Sequence, residues 1–424
     1  MNTLLKNASV LLPDGTVKTI DIAIENDRIA FVGETAEGWH CDKIVEASGK
    51  FAVPGFVNAH THASMTLLRS YADDMQLMDW LQNKIWPIEA KMKKDDIYWG
   101  AMLAVAEMIK SGTTTFADMY ADMEKVAEVV EESGIRAVLS RGLIGAAPNG
   151  QAALAENCTL FKDFNKAADG RITVMLGPHA PYTCPPDFIR QVVAEAKNLG
   201  AEIHMHLSET KGEVENCLKE HGKSPIALME ELGLFDVGVL AAHAVHLSEE
   251  DIAIMKKHAV RVAHNPGSNM KLASGIAPVP KLLKAGIVVG LGTDGASSNN
   301  NLDMLEEINL AALLHKVDTL DPLAVPAFES LQMATEYGAM AVGLKDTGKI
   351  APGYKADITL LDVSGLQWSP RHDLVSLLVY SANSSSVDTV FVNGKMLLEK
   401  GHLLTLDEER IIFEANRSAA HLTK

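Results

Sequence analysis

Cysteine is scarce: four in 424 residues, Cys41, Cys158, Cys184 and Cys217, widely separated and forming no CxxC pair. That excludes a disulfide frame, and the four read as reduced thiols of a cytoplasmic protein, none in a nucleophile context. Positive charge is in deficit as well. Thirty-eight Lys and Arg stand against 55 Asp and Glu, for a net charge of −17. An acidic chain is not drawn to nucleic acid or to an anionic membrane surface, so a small molecule is the expected partner. Long apolar runs are missing too. MNTLLKNASVLLPDG carries no core long enough for a signal peptide, and no later run approaches a membrane span, so a cytoplasmic location is expected. No low-complexity segment or short repeat appears.

What is present is ordinary globular composition, 47% hydrophobic and 22% charged, in a chain long enough for one large domain with additions. Residues 4–33 alternate apolar and polar side chains around PDG and END turn signals, which predicts short antiparallel strands. ADITLLDV at 356–363 and VDTVFVNGKMLLEKG at 387–401 repeat that texture, the latter with an Asn-Gly hairpin signal. Residues 1–55 and 346–424 are therefore expected to build one small β-sandwich domain from both termini, with a terminal helix, around a central domain at 56–345.

The centre alternates β-branched runs with helical stretches such as DIYWGAMLAVAEMIKSG and PDFIRQVVAEAKNLG. Its eight apolar runs are FAVPGFVN, GTTTFADM, IRAVLSRG, RITVMLGPH, EIHMHLSE, GVLAAHAVH, VRVAHNP and IVVGLGTDG. Eight strands alternating with helices predict an α/β fold, a (β/α)₈ TIM barrel. Each run ends on a polar group: His60 and His62, Asp118, Arg141, His179, His206, His243, His264 and Asp294. Barrel enzymes carry their chemistry at the carboxyl ends of the strands, so these groups are expected to converge on one mouth.

In VNAHTHASMTLL, His60 and His62 are two apart, and residues i and i+2 of a strand face the same side. With His206 and Asp294 they supply neutral imidazoles and a carboxylate, a donor set for one divalent metal with a position left for water. Such a metal lowers the pKa of bound water to about 7. Zinc is the expected ion, although iron and manganese accept the same donors.

HTH after the first run, HxHxxET after the fifth, a histidine after the sixth and GTDG after the eighth resemble the amidohydrolase superfamily along nearly the whole chain. More narrowly, THASMTLLRS, DWLQNKIWPIE, GPHAPYTC, HMHLSET, AAHAVHL, HNPGSNMKLASGIAPV and LGTDGASSNN resemble the deaminases of 5-methylthioadenosine and S-adenosylhomocysteine. The resemblance implies metal ligation by His60, His62, His206 and Asp294. It implies that Glu209 shuttles a proton to the purine ring, and that His243, with Asp294, holds the attacking water and takes its proton. Glu89 is implied on the ribose hydroxyls, His179 near the nucleoside and Arg141 near the 5′ substituent, with Glu209 and Asp294 also touching the substrate. The expected reaction is hydrolysis of a 5′-modified adenosine to the inosine derivative and ammonia. A related hydrolase of another nucleobase, a pterin or a triazine is the alternative, and a barrel that binds without turnover is the rival from outside enzymology.

Three further absences sharpen this. Residues 126–161 and RITVMLGPHAP contain no lysine to bridge a second metal, so one ion per chain is expected. The HxE…PCxxC pattern of the unrelated zinc deaminases is absent. AAPNGQAALAEN has no arginine, with Gln151 about where some relatives carry one. Arg141 must then handle any tail carboxylate alone, and the methylthio compound is expected to be at least as good a substrate. Several roles stay open: Glu89 as a surface acid, Arg141 as an ion pair with Asp118, Trp80 as lid or core, Glu209 as a helix-start acid, His243 and His264 as core histidines. Asn265, Pro266, Ser268 and Asn269 are expected to shape the loop after the seventh strand. Oligomeric state, including a homo-oligomer, is left open.

Overall fold

The computed structural model describes residues 2–35 and 39–423. The amino-terminal strands are β1 (Asn2–Leu11), β2 (Val17–Glu25), β3 (Arg28–Gly33), β4 (Lys43–Glu46) and β5 (Lys50–Pro54). Eight more follow: β6 (Phe56–Thr61), β7 (Thr113–Tyr120), β8 (Arg136–Leu143), β9 (Ile172–Pro178), β10 (Ile203–Leu207), β11 (Val239–His243), β12 (Arg261–His264) and β13 (Val289–Leu291). The carboxyl end adds β14 (Ile358–Asp362), β15 (Val387–Val392), β16 (Lys395–Glu399) and β17 (His402–Leu403).

β6 to β13 pair in parallel and in chain order, as expected of a (β/α)₈ barrel. Closure falls between β13 and β6, where the Asp294 amide donates to the His60 carbonyl at 2.9 Å. Gly292 makes that approach possible, since a Cβ there would lie 2.7 Å from the His60 nitrogen. The barrel interior is filled by Val57, Ala59, Ala117, Val138, Met175, Leu240 and Ala263. A larger apolar layer lies between strands and helices. The two helical stretches read from sequence form helices Lys94–Lys110 and Pro186–Leu199, the second ended by left-handed Gly200.

Both termini build a separate mixed sheet in the order β17-β16-β15-β14-β5-β1-β2-β3, with β4 on β1. The expected small β domain is thus one continuous hydrogen-bonded sheet, joined where β14 runs antiparallel to β5. Its core includes Leu5, Val10, Ile22, Ile24, Ile358, Leu360 and Phe391. Asn393 and Gly394, at φ 48° and 70°, make the expected tight turn between β15 and β16.

The run FAVPGFVN, read as one strand, divides at Gly55. β5 belongs to the terminal sheet and β6 to the barrel. A Cβ at Gly55 would strike the Thr114 side chain at 2.1 Å, so only glycine fits this corner. The final helix, Glu408–Leu422, returns to the barrel side, where Ala415 and Leu422 pack with Leu68, Trp80, Leu81 and Ile85. No described helix is long and apolar enough to cross a membrane.

Candidate active site

Four side chains meet where the ends of β6, β10 and β13 converge. The His62 and His206 Nε2 atoms are 3.3 Å apart, and Asp294 Oδ1 lies 3.3 Å from His62 Nε2 and 3.5 Å from His60 Nε2. His60, His62 and His206, and separately His60, His243 and Asp294, lie close enough to share a metal ion.

The tautomers follow from what the outer ring nitrogens touch. His62 Nδ1 sits 2.6 Å from the Met119 carbonyl and His206 Nδ1 2.7 Å from the His179 carbonyl. A carbonyl only accepts, so both Nδ1 atoms carry the proton and both Nε2 lone pairs face inward. His60 is set through a relay. Its Nδ1 is 2.8 Å from His204 Nε2, and His204 Nδ1 is 3.4 Å from Ser140 Oγ, whose own proton goes to the Asp118 carbonyl. With His204 donating outward, His60 Nδ1 donates to His204 and its Nε2 is bare. That Nε2 is buried and has no hydrogen-bond partner. Three inward lone pairs and a carboxylate, with no proton between them, fit a divalent cation.

The electrostatics point the same way. Burial pushes the His60 imidazole down to about 4, helped by His62 and His243 and opposed by Asp294. Burial, then the neighbouring imidazoles, holds His206 well below its ordinary value. Burial works to raise the Asp294 carboxyl, but His60, His62 and His243 hold it well below the usual range. The site therefore presents neutral imidazoles and an ionised carboxylate. Ser268 Oγ and the Gly295 amide donate to Asp294 at 2.6 and 2.8 Å and fix both its oxygens.

Glu209 and His243 stand beside this cluster, the carboxylate 3.8 Å from His243 Nε2. Both are buried, so Glu209 is no surface acid, and His243 meets the side chains of Asn269 and Glu209, not a backbone carbonyl. Burial raises the Glu209 carboxyl, and Ser274 Oγ holds it at 3.1 Å. His243 resists the lowering effect of burial because Glu209 and Asp294 raise it. Asn269 Oδ1 lies 2.9 Å from His243 Nδ1, so what was expected as a loop after β12 is the short helix Pro266–Lys271, which orients this imidazole. His243 and Asp294 occupy left-handed backbone, φ 72° and 61°, as does Ser208 before Glu209, at 54°. Strained non-glycine residues of this kind cluster at functional sites.

These groups open into one cleft with Glu89, Arg141 and His179 on its walls. Glu89 is placed by the Tyr120 hydroxyl, which donates to it at 2.6 Å, and burial raises its carboxyl. Glu89 is thus a cleft acid. Burial pushes His179 down to about 3, and Thr183 Oγ1 lies 3.0 Å from its Nδ1. Trp80 answers both readings at once, buried on the helix and lining the cleft. Arg141 pairs with Glu156, not with Asp118. Asp118 instead accepts the Ala63 amide at 2.9 Å, and burial pushes it up to about 6. His264 turns away from the cleft, with its Nε2 3.2 Å from His315 Nε2. Gln151 bonds Gln191 on the surface. His204, Tyr120, Ser274 and the Gly295 amide were not singled out by the sequence, whereas Ser268 and Asn269 were named only as shaping residues. Only His204 left a signal, the HMH spacing that puts it on the same strand face as His206.

A model of the amidohydrolase family matches residues 51–397. The chain belongs to the amidohydrolase family. Across its full length this amidohydrolase is 54% identical to a protein of Pelotomaculum thermopropionicum named 5-methylthioadenosine/S-adenosylhomocysteine deaminase, covering 99% of each chain. A protein of that name from Syntrophomonas wolfei is 49% identical over 100% of this chain and 99% of its own. Among solved structures, an adenosine deaminase from Xanthomonas campestris with bound zinc superimposes with a TM-score of 0.95 at 33% identity, covering 99% and 98% of the two chains.

Proposed function

We propose that this amidohydrolase deaminates 5′-modified adenosines, 5-methylthioadenosine and S-adenosylhomocysteine, to the corresponding inosine derivatives and ammonia. The observation that carries the reading is Glu209 and His243, a buried acid–base pair 3.8 Å apart, set beside four converging metal donors and across one cleft from Glu89. Identity near half over the whole chain to proteins named for that reaction supports it.

His60, His62, His206 and Asp294 would hold one divalent cation, zinc in this reading, which would supply an activated water at neutral pH. The wall of the cleft includes no lysine among the described residues, in keeping with a single ion. Glu209, raised by burial and able to carry a proton at its carboxyl, delivers that proton to the purine ring nitrogen beside the attacked carbon. His243 Nε2 and Asp294 orient the water and accept its proton, which then leaves with the ammonia. Glu89 accepts from the ribose hydroxyls, kept in place by Tyr120. His179 contacts the nucleoside, and Arg141 sits at the 5′ end.

The test is ammonia release from methylthioadenosine, S-adenosylhomocysteine, adenosine, guanine and cytosine by metal-replete protein. The two thioethers should turn over fastest, and dialysis against a chelator should abolish turnover until metal is restored. Glu209→Gln should keep the metal and lower kcat by about 10²- to 10⁴-fold. Undiminished turnover after chelation, or a preference for guanine or cytosine, sinks the reading.

A further inference from the structure

After β7 ends at Tyr120 the chain turns through Ala121 and Asp122 into the helix Met123–Ser133. Asp122 sits in left-handed backbone there, φ 47° and ψ 46°. Aspartate tolerates that state better than most residues, but at a cost. An aspartate at a helix start ordinarily recovers stability by capping the first-turn N–H groups, and Asp122 forms no such cap. Its carboxylate makes no hydrogen bond or ion pair among the described residues. The charged groups that face it are Glu124, Lys94, Arg141 and Glu156. Lys94 is taken by Glu124 at 2.6 Å, and Arg141 by Glu156 at 3.1 Å. Asp122 is thus a half-buried, unpaired acid lining the same cleft as Arg141.

Arg141 is complementary. Its Nε bonds Glu156 and its Nη1 the Gly142 carbonyl at 2.6 Å, while Nη2 makes no hydrogen bond among the described residues. One wall of the cleft therefore offers an unpaired carboxyl and a guanidinium with donors to spare. Around them the lining is apolar, with Trp86, Met92 and Ile144. A methylthio group gives the two groups nothing to bind. A zwitterion satisfies both.

We propose that Asp122 accepts from the α-ammonium of a 5′-thioether tail whose α-carboxylate the deaminase reading already assigns to Arg141. The proposal rests on the deaminase reading and makes S-adenosylhomocysteine a recognised substrate, where the sequence alone leans to the methylthio compound.

The comparison is between S-adenosylhomocysteine and its deamino analogue, 5′-S-(3-carboxypropyl)thioadenosine, which keeps the carboxylate and lacks the ammonium. In the unaltered protein kcat/KM should favour the amino compound by about 10-fold or more, as a charge-assisted hydrogen bond implies. Asp122→Asn, which suits left-handed backbone, should collapse that ratio toward one. Equal use of the two compounds by the unaltered protein overturns the proposal without any variant. A ratio that Asp122→Asn leaves unmoved, in an enzyme that deaminates methylthioadenosine, overturns the Asp122 contact alone. An unaltered protein inert toward every adenosine thioether overturns that contact and the deaminase reading together.

Discussion

Glu307 is fully buried, has no ion-pair partner among the described residues, and ties the short helix Pro266–Lys271 to the Asn299 loop of the mouth. It accepts from the Gly267 amide at 3.0 Å and from Asn299 Nδ2 at 2.7 Å. Gly267 precedes Ser268, the donor to Asp294, so this carboxyl supports the proposed metal site from behind. Burial pushes it up to about 8 from an ordinary 4.5, against those hydrogen bonds. The folded protein then keeps a proton that the unfolded chain releases. Its contribution to stability is full below about pH 4.5 and is lost as pH rises through about 8. Glu307→Gln removes the titration, so its thermal midpoint relative to the unaltered protein should improve between about pH 5 and pH 9. A difference that stays flat over that range shows an ordinary carboxyl. Nothing in the local sequence marks Glu307, because its partners lie 40 and 8 positions away and its role exists only once that helix and loop meet. The same holds for Tyr120 on Glu89. His60, His62, His206, His243 and Asp294 were legible because each closes a strand run, and a barrel puts all such ends on one rim.

At the scale of elements, the eight barrel strands were legible because apolar runs recur between amphipathic helices. The lid was not. Residues 77–89 form two short α-helical turns around a π-helical turn, Leu81–Ile85, and carry Trp80, Ile85 and Glu89 to the cleft. Turns this short are set by what covers them, and π-turns favour functional sites. The terminal helix Glu408–Leu422 packs chiefly on the helix Lys94–Lys110 and reaches this segment through a shared apolar cluster. Its Ala415 and Leu422 pack in one cluster with Trp80, Leu81, Ile85 and Ile88. Ala415→Asp would put an uncompensated charge into that contact and loosen the lid before it unfolds the barrel. Amide exchange across 77–89 should quicken, and KM for the nucleoside should rise several-fold, with exchange in β10 and β11 unchanged. Uniformly faster exchange in lid and barrel strands would show that the helix supports the whole barrel and not the lid in particular.

At the scale of the whole molecule, a buried ion pair helps to join the barrel to the terminal sheet. Arg136 opens β8, and its guanidinium meets Asp357, just before β14, through Nε–Oδ2 at 2.9 Å and Nη2–Oδ1 at 3.2 Å. Their side chains are only 3% and 2% exposed. Asn393 also accepts from Arg136, while its amide donates to Asp357 at 2.7 Å, so the hairpin between β15 and β16 joins the network. Neither charge can be hydrated, so removing one leaves the other stranded. Asp357→Ala should cost about 3–5 kcal/mol in urea unfolding, and pairing Arg136→Met with Asp357→Leu should recover part of it, because the attraction in such a pair largely offsets its own desolvation. Arg136 starts the strand whose far end carries Arg141, which places the ion pair on the floor of the barrel and the chemistry on its rim. Floor contacts in this architecture govern stability and rim groups govern reaction. Below its unfolding midpoint Asp357→Ala should therefore keep kcat/KM within about twofold of the unaltered enzyme. A large loss of activity in a folded variant would mean that the terminal sheet sets the geometry of the rim through β8.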